Sequence, residues 1–371
     1  MDVLIFSGYN ERAVIAFLRS LLCFGITPKI VARDEDDAIF LTTYAKYVIY
    51  TRKNKQLEMS EIAPLIERPT IIAPSTEFLN RWLLENRSEL EQIGATIPLV
   101  NKDLYAQISD KYSFGELCKN YEIRVPSEYS NFTQAKQHKQ FVAKPFTYFS
   151  EDKKVFAPQI VLDAQDLSKF EENFRPEDFY YQEYLTGRSL YLLYYFDKNG
   201  NVYKFSQENL LQQPEGKSML AAVSTNIHEL PVSKRIEELF KGVNYRGLVM
   251  VELSQVSNTG SVDDFVMIEA NPRFWGPSQL FVDADVNLFA NFLSDWGMLS
   301  SNSSTPSSKK GITKYFYGDG FPKDGDNIKV HQGFYDYYSN LKEFNDDLES
   351  WKIIDLYNKK DTNDFNKRSE T

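Results

Sequence analysis

Short apolar runs alternate with stretches of helical spacing through the N-terminal part of the chain. Residues 3–8 (Val-Leu-Ile-Phe-Ser-Gly) form an apolar strand ending in small residues, and residues 13–22 carry apolar side chains at helical intervals. Gly25 and a second strand over 29–32 follow. Another apolar strand at 70–73 runs through Pro74-Ser-Thr into a helix over 80–90. This β-α-β rhythm predicts a parallel α/β sheet. The turn after the first strand, Gly8-Tyr-Asn-Glu-Arg12, lacks the G-x-G-x-x-G spacing, so no dinucleotide site is read from it.

Beyond Pro98 the pattern changes to α+β. A helix is expected over 108–120 with Ser109 as its N-cap, then a strand entry at 123–126. Strands are expected at 141–145 and 180–185, separated by a helix around 164–173. Residues 190–196 and 202–205 flank Asn199-Gly200, the turn pair of a β-hairpin. A helix at 233–241 precedes two apolar strands, 247–253 and 265–271, joined by the polar loop 255–263. Paired as an antiparallel hairpin, these strands bring Glu252 and Glu269 opposite one another on one face. Two facing carboxylates repel unless something positive lies between them, and a divalent cation meets that need.

The helical segment 286–293 is followed by the Ser-rich linker 300–311. Residues 312–358 regain aromatic side chains and are expected to form a small packed appendage. The charged tail 359–371 is expected to be disordered.

Composition narrows the function classes. The 371-residue chain is long enough for two or three domains. Its formal charge of −10 argues against a general binder of nucleic acid or anionic membranes, which would show a basic face. The N-terminus reads as a strand rather than a signal peptide, and no long apolar run suggests a membrane span, so a cytoplasmic protein is expected. Cys23 and Cys118 both fall in apolar helical patterns, and His138, His228 and His331 are scattered; thiolate and histidine-rich metal sites are therefore unsupported.

The candidate chemistry centres on Glu269-Ala-Asn-Pro-Arg273. Alternation along a strand sends Glu269, Asn271 and Arg273 to one face. A carboxylate and an amide oxygen suit a hard divalent cation, and a guanidinium matches phosphate or carboxylate bidentately. Taken alone, the same spelling also fits a strand ending in a surface ion pair. Upstream lie Ser109-Asp-Lys111 at a helix start, Lys144 within the apolar Val142-Ala-Lys-Pro145, and Gln182-Glu-Tyr-Leu-Thr-Gly187.

In that order and spacing these pieces resemble the ATP-grasp superfamily, which includes biotin carboxylase, carbamoyl phosphate synthetase and the carboxylate-amine ligases. The resemblance spans roughly residues 1–295. It implies a Rossmann-like pre-ATP-grasp domain (1–104), a two-lobed ATP-grasp domain (105–299, small lid lobe about 112–185), and then the linker and C-terminal appendage. It implies ATP and Mg2+ as cofactors, with Mn2+ able to stand in. Lys111, Lys144 and Lys217 (in Gly216-Lys-Ser218) would contact phosphates. Gln182, Glu183 and Leu185 would hold adenine, and Ser189 stands where relatives often place a ribose-binding Glu. Glu252, Glu269 and Asn271 would hold the metals, while Arg273, with Lys144, would steady the transferring phosphoryl group. One departure is plain: no glycine lies between Lys144 and Gly187, so Thr147, Ser150 or Lys153 would have to serve in place of a glycine-rich lid loop.

The activity implied is ATP-dependent ligation. A small-molecule carboxylate is activated as an acyl phosphate and coupled to an amine, with release of ADP and phosphate. Carboxy-phosphate chemistry of the carbamoyl-phosphate-synthetase kind and a catalytically degenerate nucleotide-binding protein are the alternatives. A homodimer is the default expectation for such enzymes.

Overall fold

The computed structural model describes residues 1–146, 158–299, 311–322, 327–351 and 353–354. The expected lid positions Thr147, Ser150 and Lys153, most of the Ser-rich linker and the charged tail lie outside them. Among the described residues no helix is long and apolar enough to cross a membrane.

Five parallel strands form the N-terminal sheet, in the spatial order Val48–Thr51, Pro28–Ala32, Asp2–Phe6, Thr70–Ile72, Ala95–Thr96. Its strands read as unbroken apolar runs because helices cover both faces. On one face Glu11–Cys23 buries Val14, Phe17, Leu18 and Leu21. On the other, Glu77–Glu85 buries Leu79 and Leu83 against Leu4, Phe6 and Ile72. That second helix starts earlier than its apolar spacing suggests, because the Thr76 hydroxyl caps it by accepting from the Leu79 amide.

A small antiparallel sheet follows, ordered Glu128–Tyr129, Phe179–Glu183, Phe141–Pro145, Gln159–Val161. Its core is Phe141, Phe170, Phe179 and Tyr181. The helix before it runs from Lys111 to Asn120, and its N-cap is Asp110 rather than Ser109. The Asp110 carboxylate accepts from the Ser113 amide at 2.8 Å, while Ser109 ends the preceding helix Lys102–Ser109. Two capping-competent residues stand side by side there, and the break between the helices falls after the first.

The large sheet runs Phe265–Asn271, Gly247–Gln255, Arg188–Phe196, Val202–Gln212, Met219–Thr225, Lys314–Tyr317, Ile353–Ile354, antiparallel until the last pair. Leu190, Leu192, Tyr194 and Phe196 face the helix Pro231–Gly242, whereas Tyr191, Leu193 and Tyr195 face the N-terminal unit. Residues 314–317 and 329–330 add strands to this sheet, so the aromatic C-terminal segment shares its hydrogen bonding. Phe334, Tyr338, Phe344 and Trp351 pack there against Leu210, Leu211 and Leu220.

Candidate active site

The hairpin expected from the sequence sets the centre of the site. Glu252 pairs directly with Glu269, and Met250 with Asn271. A bulge between Glu252 and Leu253 leaves Ile268 without an opposite number. It lets the apolar positions Met267 and Leu253 stay in the core while both carboxylates share the other face. Tyr191 lies across from Glu252 on the next strand, and Gln207 across from Tyr191.

Lys111, the first residue of its helix, reaches this row: its ammonium is 2.6 Å from Glu269 Oε2. Asn271 Nδ2 donates to Glu269 Oε1 at 2.7 Å, and Arg273 Nη2 lies 3.4 Å from Asn271 Oδ1. The four residues thus form one chain of contacts. Burial favours a protonated carboxyl at Glu269, but Lys111 and Asn271 override it and hold the group below the usual carboxylate range. Glu252 moves upward, driven by burial and then by the Glu269 charge beside it. One carboxylate is ionised and its neighbour holds a proton readily, the arrangement of a pair that gains most when a cation arrives.

Lys144 is only 7 % exposed, on the small sheet's strand Phe141–Pro145. Burial pulls its ammonium down to about 8, and the Lys111 charge adds to the drop. No hydrogen-bond acceptor or ion-pair partner is found for it among the described residues. Two strands of that sheet also bring Gln182 opposite Val142. Gln182 is buried, and its Oε1 has no donor within reach among the described residues. Buried acceptors without partners are rare because desolvation then goes uncompensated; this one is ready for a donor such as an amino group. Tyr180 OH, beside it, is likewise buried and unpartnered among the described residues.

The other expected base and phosphate contacts are less uniform. Glu183 turns its carboxylate to the Ser127 amide at 2.8 Å, a bond that fixes the edge of the small sheet. Leu185 is half-buried in the connection to the large sheet. Ser189 is buried on the same face as Glu252, and its Oγ accepts from Asn209 Nδ2 at 2.9 Å. Lys217 is exposed in the turn 213–218, where Gln212 Nε2 donates to its carbonyl.

The N-terminal unit anchors the segment that carries Arg273. Asn10 Nδ2 donates to both Ser75 O at 2.8 Å and Phe274 O at 3.0 Å, and Asn80 Nδ2 approaches Pro272 O at 3.4 Å. Phe17 packs on Phe274 at 4.9 Å between ring centroids. Sequence reasoning found neither Asn10 nor Asn80, nor Tyr191 and Gln207. Their partners are distant in the chain, and only the register reveals them.

Among the described residues no group of three or more His, Cys, Asp or Glu could hold a metal. Glu252, Glu269 and Asn271 by themselves could supply only part of the oxygen shell of a hard divalent cation.

No family model matches the sequence, and no curated protein does. Solved structures do match. A biotin carboxylase–β-γ-ATP complex from Campylobacter jejuni aligns over 85 % of this chain and 75 % of its own, with a TM-score of 0.63 at 15 % identity. The chain has the ATP-grasp fold. The biotin carboxylase domain dimer of Hydrogenobacter thermophilus 2-oxoglutarate carboxylase, complexed with MgADP, ADP and bicarbonate, gives 0.61 at 14 % identity over 85 % and 74 % of the two chains. An ADP complex of the N5-carboxyaminoimidazole ribonucleotide synthetase PurK gives 0.57 at 13 %, over 76 % and 73 %. At these identities the likeness establishes architecture, and the chemistry must be argued from the residues themselves.

Proposed function

We propose that this protein is an ATP-dependent ligase that activates a small-molecule carboxylate by phosphorylation and passes the acyl group to an amine. The observation that carries the reading is Lys144: a buried ammonium with no anionic partner among the described residues, held at about 8, beside a carboxylate pair. A lysine is not kept in such a place for stability. A polyanion with its cation satisfies every group at once: the triphosphate takes Lys144, and Mg2+ takes Glu252, Glu269 and Asn271.

Mg-ATP would supply the phosphoryl group. The chain's own contribution is positioning and charge. Gln182 Oε1 accepts from the adenine amino group, which accounts for its empty acceptor. Lys111, now on Glu269, would contribute its charge to the triphosphate, and Glu269 with Glu252 and Asn271 would hold the metal. Arg273, fixed between Asn271 and the Phe274 carbonyl, neutralises charge on the transferring group. Leu185 and Ser189 would face the base and ribose, Glu183 holds the hinge strand in register through Ser127, and Lys217 would add a phosphate contact from the turn 213–218. A cytoplasmic homodimer completes the proposal; light scattering on the purified protein checks the dimer.

The test is twofold. Thermal unfolding with and without Mg-ATP separates binding from its absence, and ADP release is then followed across a panel of carboxylic acids, bicarbonate and amines. Release that needs a carboxylate and an amine together supports the ligase. Release with bicarbonate alone moves the assignment to carboxy-phosphate chemistry, and binding without turnover leaves a nucleotide sensor.

A further inference from the structure

The sequence predicts a small packed appendage over 312–358. In the structure the strand Lys329–Val330 hydrogen-bonds to Val202–Gln212, Lys329 opposite Gln212 and Val330 opposite Leu211. Its place is where Arg188–Phe196 has not yet begun, so it continues that strand's path along the edge of the cleft. Two register shifts in 209–212 decide which way it faces. They turn Leu211 to the appendage core and Gln212 to the side of Met219, which packs with Tyr191 and Met250. Lys329, paired with Gln212, shares that side, and its charge is felt at Glu252.

The surroundings fix its role by elimination. Lys111 is paired with Glu269, and Arg12 is bound to Met219 O and Tyr315 OH. Lys329 is half-buried and has no carboxylate partner among the described residues. His331, two residues on, is buried against Gln212 Oε1 at 3.0 Å, which locks the strand and with it the direction of Lys329. Gln207, on the same face, is fully buried with Oε1 unpartnered among the described residues, while its amide donates to Asn209 at 2.7 Å. An unpaired ammonium and an empty acceptor thus border the cleft on the side away from Lys111.

We infer that Lys329 is a further substrate-binding residue, supplied by the C-terminal segment, whose ammonium takes an anionic oxygen at the γ-phosphate end of the cleft. That oxygen belongs either to the γ-phosphate or to the anionic group of the acceptor seated next to it. The inference rests on the nucleotide reading above and extends the site to a part of the chain outside the motifs that suggested it.

Lys329→Met and Lys329→Arg decide it, each compared with the parent protein by calorimetric titration. The probes are a non-hydrolysable ATP analogue with Mg2+, Mg-ADP, and inorganic phosphate added to the Mg-ADP complex. A γ-phosphate contact predicts that Lys329→Met weakens the analogue about tenfold and Mg-ADP less than about twofold, with Lys329→Arg restoring most of the loss. An acceptor-side contact predicts unchanged analogue binding and a loss of similar size for inorganic phosphate. If Lys329→Met binds all three probes as the parent does, the inference is overturned while the nucleotide reading stands. If the parent binds no nucleotide, that reading fails and this one falls with it. Equal thermal unfolding midpoints for the unliganded proteins exclude a folding defect.

Discussion

Lys144→Met separates function from stability at one atom. The change keeps a long unbranched side chain and removes the ammonium that burial holds at about 8, against 10.5 for an ordinary lysine. In the folded protein the group gives up its proton below the point at which the unfolded chain does. Between pH 8 and 10.5 the unfolded state therefore binds more protons, and stability rises with pH through that window. Below pH 8 the full penalty is present. At about 1.4 kcal/mol per pH unit of difference, it amounts to roughly 3 kcal/mol at most. The unliganded variant is accordingly expected to be more stable than the parent at pH 7, by about 1–3 kcal/mol. Urea unfolding at pH 7 and again near pH 10 measures this, and the gap should shrink toward the higher pH. Mg-ATP should reverse the order. Loss of one charge-assisted contact of about 2–3 kcal/mol weakens nucleotide binding roughly thirtyfold or more, so ligand stabilisation largely disappears in the variant. A variant less stable than the parent at pH 7, or a gap that does not depend on pH, would refute the argument that burial without a partner sets the state of Lys144.

Other substitutions probe the remaining contacts. Glu269→Gln removes the anion that holds Lys111 and that is proposed to hold the metal; Mg-ATP affinity is expected to fall by about 2 kcal/mol or more in equilibrium titrations, and retained affinity would sink the metal assignment. Gln182→Leu keeps the volume but deletes the acceptor, so ATP should lose about tenfold while ITP, which has no amino group to donate, changes little; competition binding reads the difference. Gly333→Ala drives a methyl group into the Glu208 carboxylate, which is tied to Arg188 at 2.6 Å. Chemical denaturation should show a loss of about 1–3 kcal/mol as the C-terminal segment is pushed off the sheet. Asn10→Ala leaves the carbonyls of Ser75 and Phe274 short of a donor and should cost about 1–3 kcal/mol, measured the same way.

The elements were legible where apolar runs had clear edges. The parallel N-terminal sheet and the 247–271 hairpin follow from apolar runs bounded by small or polar residues, and the facing of Glu252 and Glu269 follows once the hairpin is drawn. The bulge at Ile268 could not be read, because an extra residue leaves no mark on an already apolar strand. Nor could the placement of 314–317 and 329–330 in the large sheet. A two-residue strand has no periodicity, and its partner lies more than a hundred residues upstream. The same blindness hid Lys329, Gln207 and Asn10, whose significance lies entirely in what folds against them. Glu183 shows the converse: the motif singles it out for adenine, and the structure gives its carboxylate to the Ser127 amide.

The bond from Asn10 to the carbonyl of Phe274 closes a loop of 264 residues. On a ribosome adding about 5–20 residues per second, the partner of Asn10 emerges roughly 10–50 s later. Throughout that interval the helix bearing Phe17 has no Phe274 or Phe289 to cover its apolar face. The N-terminal sheet can form early, since all its strands lie within the first 96 residues, but the segment holding Arg273 sets only after nearly three quarters of this sequence has been made. A nascent chain stalled before residue 274 should therefore bind holdase chaperones and be cut readily by protease within 11–23. One released beyond residue 293 should not.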